Sequence, residues 1–139
     1  MKKIIYILAA VSFLSACSTE EEKPVTNAPS SKLETLTGAT SKKWGLVKLY
    51  INDTLFPLSS DQLLYAKTYN RDSTFLDTDG IGGRFNLSSD AKYLTETVNT
   101  GGSGLLVYKI NALSTSSIDY KLIYNGTDSL NTRFIFNAK

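Results

Sequence analysis

The chain has 139 residues, 42% of them apolar and 11% aromatic, with 15 basic and 13 acidic side chains. That length holds one domain, and that composition favours a packed core over a disordered chain. A single cysteine and no histidine exclude a disulfide framework, a Cys/His metal site and nucleophile–histidine catalysis. Setting aside Lys2 and Lys3 leaves 13 basic residues against 13 acidic ones, so no basic stripe is expected and nucleic-acid binding has no support.

At the N-terminus, Lys2 and Lys3 precede an apolar run from Ile4 to Leu14 and a small-residue exit, Leu14-Ser15-Ala16-Cys17. This order reads as a secretory signal peptide over residues 1–16, with an apolar run too short to span a bilayer. Leu14-Ser15-Ala16-Cys17 resembles the lipobox of bacterial lipoproteins. The resemblance implies that Cys17, the only cysteine, is the lipidation site, carrying fatty chains such as palmitate and becoming the new N-terminus. Several chains, each contributing about 0.8 kcal/mol per buried methylene, make a durable membrane anchor. Ser18 directly after the cysteine resembles lipoproteins sorted to the outer membrane. Glu20-Glu21-Glu22 is similar to the export signal that sends Bacteroidetes lipoproteins to the cell surface, and reads equally well as a solvated spacer. From Ser18 to about Leu36 the chain is polar, with Pro24, Pro29 and Ser30-Ser31, and residues 17–36 read as a lipidated N-terminus and flexible tether.

Residues 37–139 form the predicted folded domain. Short apolar segments recur about every ten residues, and no stretch shows sustained helical spacing, which is the pattern of an antiparallel meander. The predicted strands run Lys43–Asn52, Gln62–Tyr69, Thr74–Asp77, Gly83–Leu87, Tyr93–Val98, Leu105–Leu113, Ser117–Tyr124 and Thr132–Asn137. Turn-forming residues separate them, Asn125-Gly126 being the strongest such signal. Alternation puts Ile118, Tyr120, Leu122 and Tyr124 on one face, joined by Leu106, Tyr108 and Ile110 and by Phe134 and Phe136. Eight strands with one apolar face must close into a barrel or split into a sandwich to remove their edges.

Several short words carry a resemblance. Asp72-Ser73-Thr74-Phe75, Gly83-Arg84-Phe85, Leu87-Ser88-Ser89-Asp90 and Ile110-Asn111-Ala112-Leu113-Ser114, with Trp44 on the first strand, are similar to the lipocalin-like domains of Bacteroidetes lipoproteins. Ser73 stands where that family has glycine, and Phe85 where it has tryptophan. The resemblance implies an all-β, eight-stranded, up-and-down barrel. It also implies a base-sealing role for Trp44, packed against the closing strand around Phe134 and Phe136.

Three further groups invite a chemical reading. Asp77-Thr78-Asp79-Gly80 looks like a fragment of a calcium loop, but no glutamate follows at the required distance, and a hairpin turn explains it. Asp77, Asp79, Asp90 and Glu96 could supply a carboxylate pair for glycoside cleavage, yet all four fall in or beside predicted turns, where carboxylates are solvated. Asp53-Thr54-Leu55 and Asp128-Ser129-Leu130 resemble the O-glycosylation signal of Bacteroidetes envelope proteins and fall in predicted loops.

The sequence therefore predicts an outer-membrane, lipid-anchored, non-catalytic module with no metal and no cofactor, and leaves open whether it is displayed at the cell surface. The expected occupant is a small apolar or amphipathic ligand contacted by Trp44, Tyr108 and Tyr120, since aromatics with polar tips line such pockets. The alternative is a filled barrel acting as a structural or protein-interaction module toward another envelope component. An open interior lined by Tyr108 and Tyr120 favours the first and a solid core the second.

Overall fold

The computed structural model describes residues 30–125 and 131–139. The leader, Cys17, Glu20-Glu21-Glu22, Gly126 and Asp128-Ser129-Leu130 lie outside the described residues.

Helix α1, Ser30–Thr37, leads into the long strand β1, Ser41–Ile51. A short strand β2, Thr54–Phe56, and a one-turn helix α2, Ser60–Leu64, follow. The remaining strands are β3 Ala66–Asn70, β4 Thr74–Asp77, β5 Gly82–Leu87, β6 Tyr93–Thr100, β7 Gly104–Leu113, β8 Ser117–Tyr124 and β9 Thr132–Ala138. Each strand from β3 to β9 pairs antiparallel with the next, β1 pairs with β3, and β9 returns to pair with β1 from Trp44↔Ala138 to Ile51↔Thr132. The result is a closed, eight-stranded antiparallel barrel, as the alternation and the family resemblance predict. The ninth strand, β2, adds three residues to the upper edge of β1.

Local chemistry explains the joints. Asn52 and Asp53 both take left-handed backbones (φ 50° and 62°), the geometry of the tight turn that joins twisted hairpin strands, and Asn and Asp tolerate it best after glycine. A register shift between Leu46 and Lys48 lets both Leu46 and Leu49 turn inward, so β1 bends as it closes the barrel. Gly83 is required by close approach, because a Cβ there would meet the Thr97 carbonyl oxygen at 2.0 Å.

Two segments depart from the sequence reading. Ser30 to Leu36, expected in the tether, is helical: α1 buries Leu33 and Leu36, three residues apart, and stops at Gly38, whose left-handed backbone donates its N–H to Glu34 O at 2.7 Å. The predicted strand Gln62–Tyr69 is half helix, because Ser59 and Gln62 form a reciprocal capping box that starts α2 and only Ala66 onward pairs with β1. Thr54 and Leu55, expected in a loop, are exposed residues of β2.

Candidate functional site

The barrel interior holds a charged pair that the sequence reading did not anticipate. Glu96, expected beside a turn and solvated, lies mid-strand in β6 and is fully buried. Its Oε2 sits 2.7 Å from Lys67 Nζ on β3, while its Oε1 accepts the Tyr69 hydroxyl. The Tyr108 hydroxyl lies within reach of both charges, accepting from Lys67 Nζ at 3.3 Å and donating to Glu96 Oε2 at 3.4 Å. Burial works against a charged Lys67, but attraction to the Tyr120 phenol and the Glu96 carboxylate outweighs it and holds the ammonium above the ordinary lysine range. Desolvation first, and Glu96 second, raise the Tyr69 and Tyr108 hydroxyls well above the ordinary tyrosine range. Around neutral pH the cluster is one ion pair with two neutral phenols, all satisfied and shielded from water.

The remaining inward side chains fill the space around it. Tyr108 and Tyr120 pack with ring centroids 4.5 Å apart and planes inclined at 51°, Tyr120 lies against Phe134 and Phe136, and Tyr69 meets Phe85 edge-on at 5.1 Å. Tyr108 and Tyr120, predicted ligand contacts, are thus packed in the core, and neither lines either of the two cavities described below. Trp44, the third predicted contact, is completely buried at the end closed by α1, where its Nε1–H donates to Leu36 O at 2.8 Å and Lys42 Nζ lies 4.4 Å from its ring centre. It closes that end with α1 as its partner, whereas Phe134 of the closing strand walls the cavity at the other end.

The opposite end is more open. Leu46, Leu49, Tyr65 and Phe134 wall a cavity of about 300 Å³, rimmed by Asp61, Gln62 and Asp79. Asp77, expected to be solvated, is buried beneath this rim: its Oδ1 accepts the N–H groups of Asp79 and Ile81, and its Oδ2 the Tyr65 hydroxyl at 2.9 Å. It caps the β4–β5 hairpin, so Asp77-Thr78-Asp79-Gly80 is a turn. Desolvation raises the Tyr65 phenol above its ordinary range, and it stays a neutral donor.

Outside this mouth, Val47, Leu55, Phe56, Leu58 and Leu63 line a groove of about 400 Å³ between the β1–β2 hairpin and α2. Leu55, Phe56, Leu63 and Leu64 are all large, apolar and exposed, Leu64 at 71%. Scattered exposed leucines are ordinary, but Leu55, Phe56 and Leu63 come from two neighbouring elements around one groove and make an apolar face there.

The wall of the barrel carries a different surface. The even charge balance predicts no basic stripe, yet the strand register sets Lys109, Lys121 and Arg133 side by side on β7, β8 and β9. Register is a property of the closed barrel and not of any one strand, which is why the spacing along the chain does not reveal it.

No protein-family model matches the chain, and no curated protein matches it. Among solved structures it is similar to HpuA from Kingella denitrificans, determined in complex with human haemoglobin. Sequence identity is 16% and the TM-score 0.44 over 82% of this chain and 48% of that one, so the chain spans about half the length of that protein.

Proposed function

We propose that this chain is a non-catalytic, lipid-anchored envelope module whose filled barrel displays a docking face for a protein partner. The observation that carries the reading is the pairing of a satisfied, closely packed interior with an apolar face at the end away from α1. A barrel whose interior is taken up by Lys67, Glu96 and packed aromatics offers its outside for recognition. Exposed apolar faces of this kind are typical of protein contacts. The leader and Cys17 support the anchor at the outer membrane. A chain that enters the fold through α1 presents the β1–β2 hairpin and α2 at its far end, which suits a tethered module reaching a partner beyond the membrane surface.

The test is co-isolation of the full, acylated chain from its own envelope with Phe56→Asp and Leu63→Glu introduced together. Both positions are exposed, so the fold should survive with an unchanged Tm. The reading expects a partner held by the natural chain to be lost from the doubly substituted one. Identical co-isolated proteins in identical amounts would refute it.

A second reading rests on the 300 Å³ mouth cavity, whose apolar walls and carboxylate rim suit a small amphipathic molecule. Native mass spectrometry of the chain isolated from its own cells decides it. A retained small molecule that disappears with Leu49→Trp favours the cavity, and a bare protein mass in both forms removes it.

A further inference from the structure

One line across the outer wall joins five strands. Tyr93 of β6 lies opposite Lys109 of β7, Lys109 opposite Lys121 of β8, Lys121 opposite Arg133 of β9, and Arg133 opposite Tyr50 of β1. Their sequence neighbours Tyr108, Ile110, Tyr120 and Leu122 are buried in the core, so the row itself faces outward. Directly opposed side chains on adjacent strands stand about 5 Å apart, which spreads the three cations over about 10 Å.

Like charges directly opposite one another destabilise a sheet, and this row is only partly answered. Asp119 takes Nε and Nη2 of Arg133 in a two-point pair, drawing that guanidinium to itself and away from the row. Lys109 and Lys121 form no ion pair among the described residues. At one end Arg133 lies 5.2 Å from the Tyr50 ring centre, and at the other the Tyr93 ring is exposed.

We propose that this row binds an anionic saccharide chain bearing sulfate or phosphate esters. Two ammonium groups at fixed spacing match anionic groups on successive sugar units, and an exposed tyrosine offers a flat amphipathic face on which a sugar ring rests. The surface is an open wall and not a cleft, which suits an extended chain better than a lone ion. Duplex DNA fits poorly, because its affinity at physiological salt rests on neutralising many phosphates and the row offers two free cations. The site is separate from the apolar face at the mouth and stands or falls independently of it.

The test is calorimetric titration of the full chain with a heparin-derived sulfated oligosaccharide, with neutral dextran, inorganic sulfate and duplex DNA as parallel arms. The sulfated oligosaccharide should bind, with affinity falling as salt rises. Lys109→Gln combined with Lys121→Gln should weaken it roughly tenfold or more, as the loss of two charge-assisted contacts requires. Lys43→Gln, an exposed cation at the other end of β1, should bind like the natural chain. The doubly substituted protein should keep or raise its Tm, since it loses a like-charge contact, and this separates a lost site from a lost fold. The proposal is overturned by absence of binding at low salt, by an equal loss with Lys43→Gln, by inorganic sulfate binding as tightly as the oligosaccharide, or by preference for DNA.

Discussion

Replacing Glu96 by glutamine keeps the side chain's volume and an acceptor for Tyr69 but removes the negative charge 2.7 Å from Lys67 Nζ. With an effective dielectric near 20, the attraction lost at that distance is about 6 kcal/mol before any relaxation. Lys67 can relax by releasing its proton. Doing so at pH 7 from an ordinary lysine value of about 10.4 costs about 4–5 kcal/mol, which caps the penalty left on Lys67 itself. Removing one partner of a buried ion pair typically costs about 3–5 kcal/mol, in agreement. A domain of this size has roughly 5–15 kcal/mol of total stability, so Glu96→Gln should remove a large part of it. The pH dependence supplies the sign. In the natural chain the Lys67 amine titrates above its ordinary range, so its contribution is fully present below the unfolded value near 10.4 and lost as pH rises through the folded value. In the variant the uncompensated amine drops below its unfolded value, and its penalty grows as pH falls from that value toward neutral. Urea denaturation, followed by Trp44 fluorescence from pH 7 to pH 10.5, should therefore show the largest gap at pH 7 and a narrowing gap above it. Adding Lys67→Met to Glu96→Gln should restore stability to within about 2 kcal/mol of the natural chain, because the stranded charge is gone. A single-variant loss under 1 kcal/mol at pH 7, or no rescue by Lys67→Met, would refute the account of the interior.

Ser73 has a left-handed backbone (φ 66°) where the resembled family has glycine, so Ser73→Gly should stabilise the fold by about 0.5–1 kcal/mol, seen as a higher urea midpoint. Trp44→Phe removes the donor to Leu36 O and should cost about 1–3 kcal/mol; faster hydrogen exchange at the Gly38 amide, which closes α1 on Glu34, would report the loosened helix. Arg133, through its hydrogen bonds, holds the Asp119 carboxyl below its ordinary range. That pair therefore adds stability above the unfolded value near 3.9 and loses it as pH falls through the lower folded value. Asp119→Asn should cost about 0.5–1 kcal/mol at pH 7, discounted for solvent screening, and the difference from the natural chain should shrink in acid denaturation near pH 3.

The strands were legible because each alternates over a run bounded by turn residues: Thr74–Asp77 and Ser117–Tyr124 stand where the alternation put them. Helix α1 was not, since two leucines in eight residues give too weak a period. Helix α2 was hidden inside an apolar run, although Ser59 and Gln62 stand at capping-box spacing. The charged cluster had a signal as well. Glu96 shares strand parity with Leu94 and Val98, and Lys67 with Tyr69, so both point inward once the buried face is fixed. Proximity to turn residues argued the other way for Glu96 and was the weaker guide. The row of Lys109, Lys121 and Arg133 depends on inter-strand register, set by barrel closure and by shifts such as that between Ile110 and Ala112, which no single strand encodes.

Recognition at the apolar face outside the barrel, as proposed above, is open to test in living cells. The most direct measurement is site-specific photo-cross-linking in living cells, with a photoreactive phenylalanine at position 56 on β2 and, separately, at position 111 on the outer wall of β7. A discrete protein adduct from position 56 and none from position 111 is the expected result. Equal adducts from both, or none from position 56 in cells that display the protein, would contradict the account.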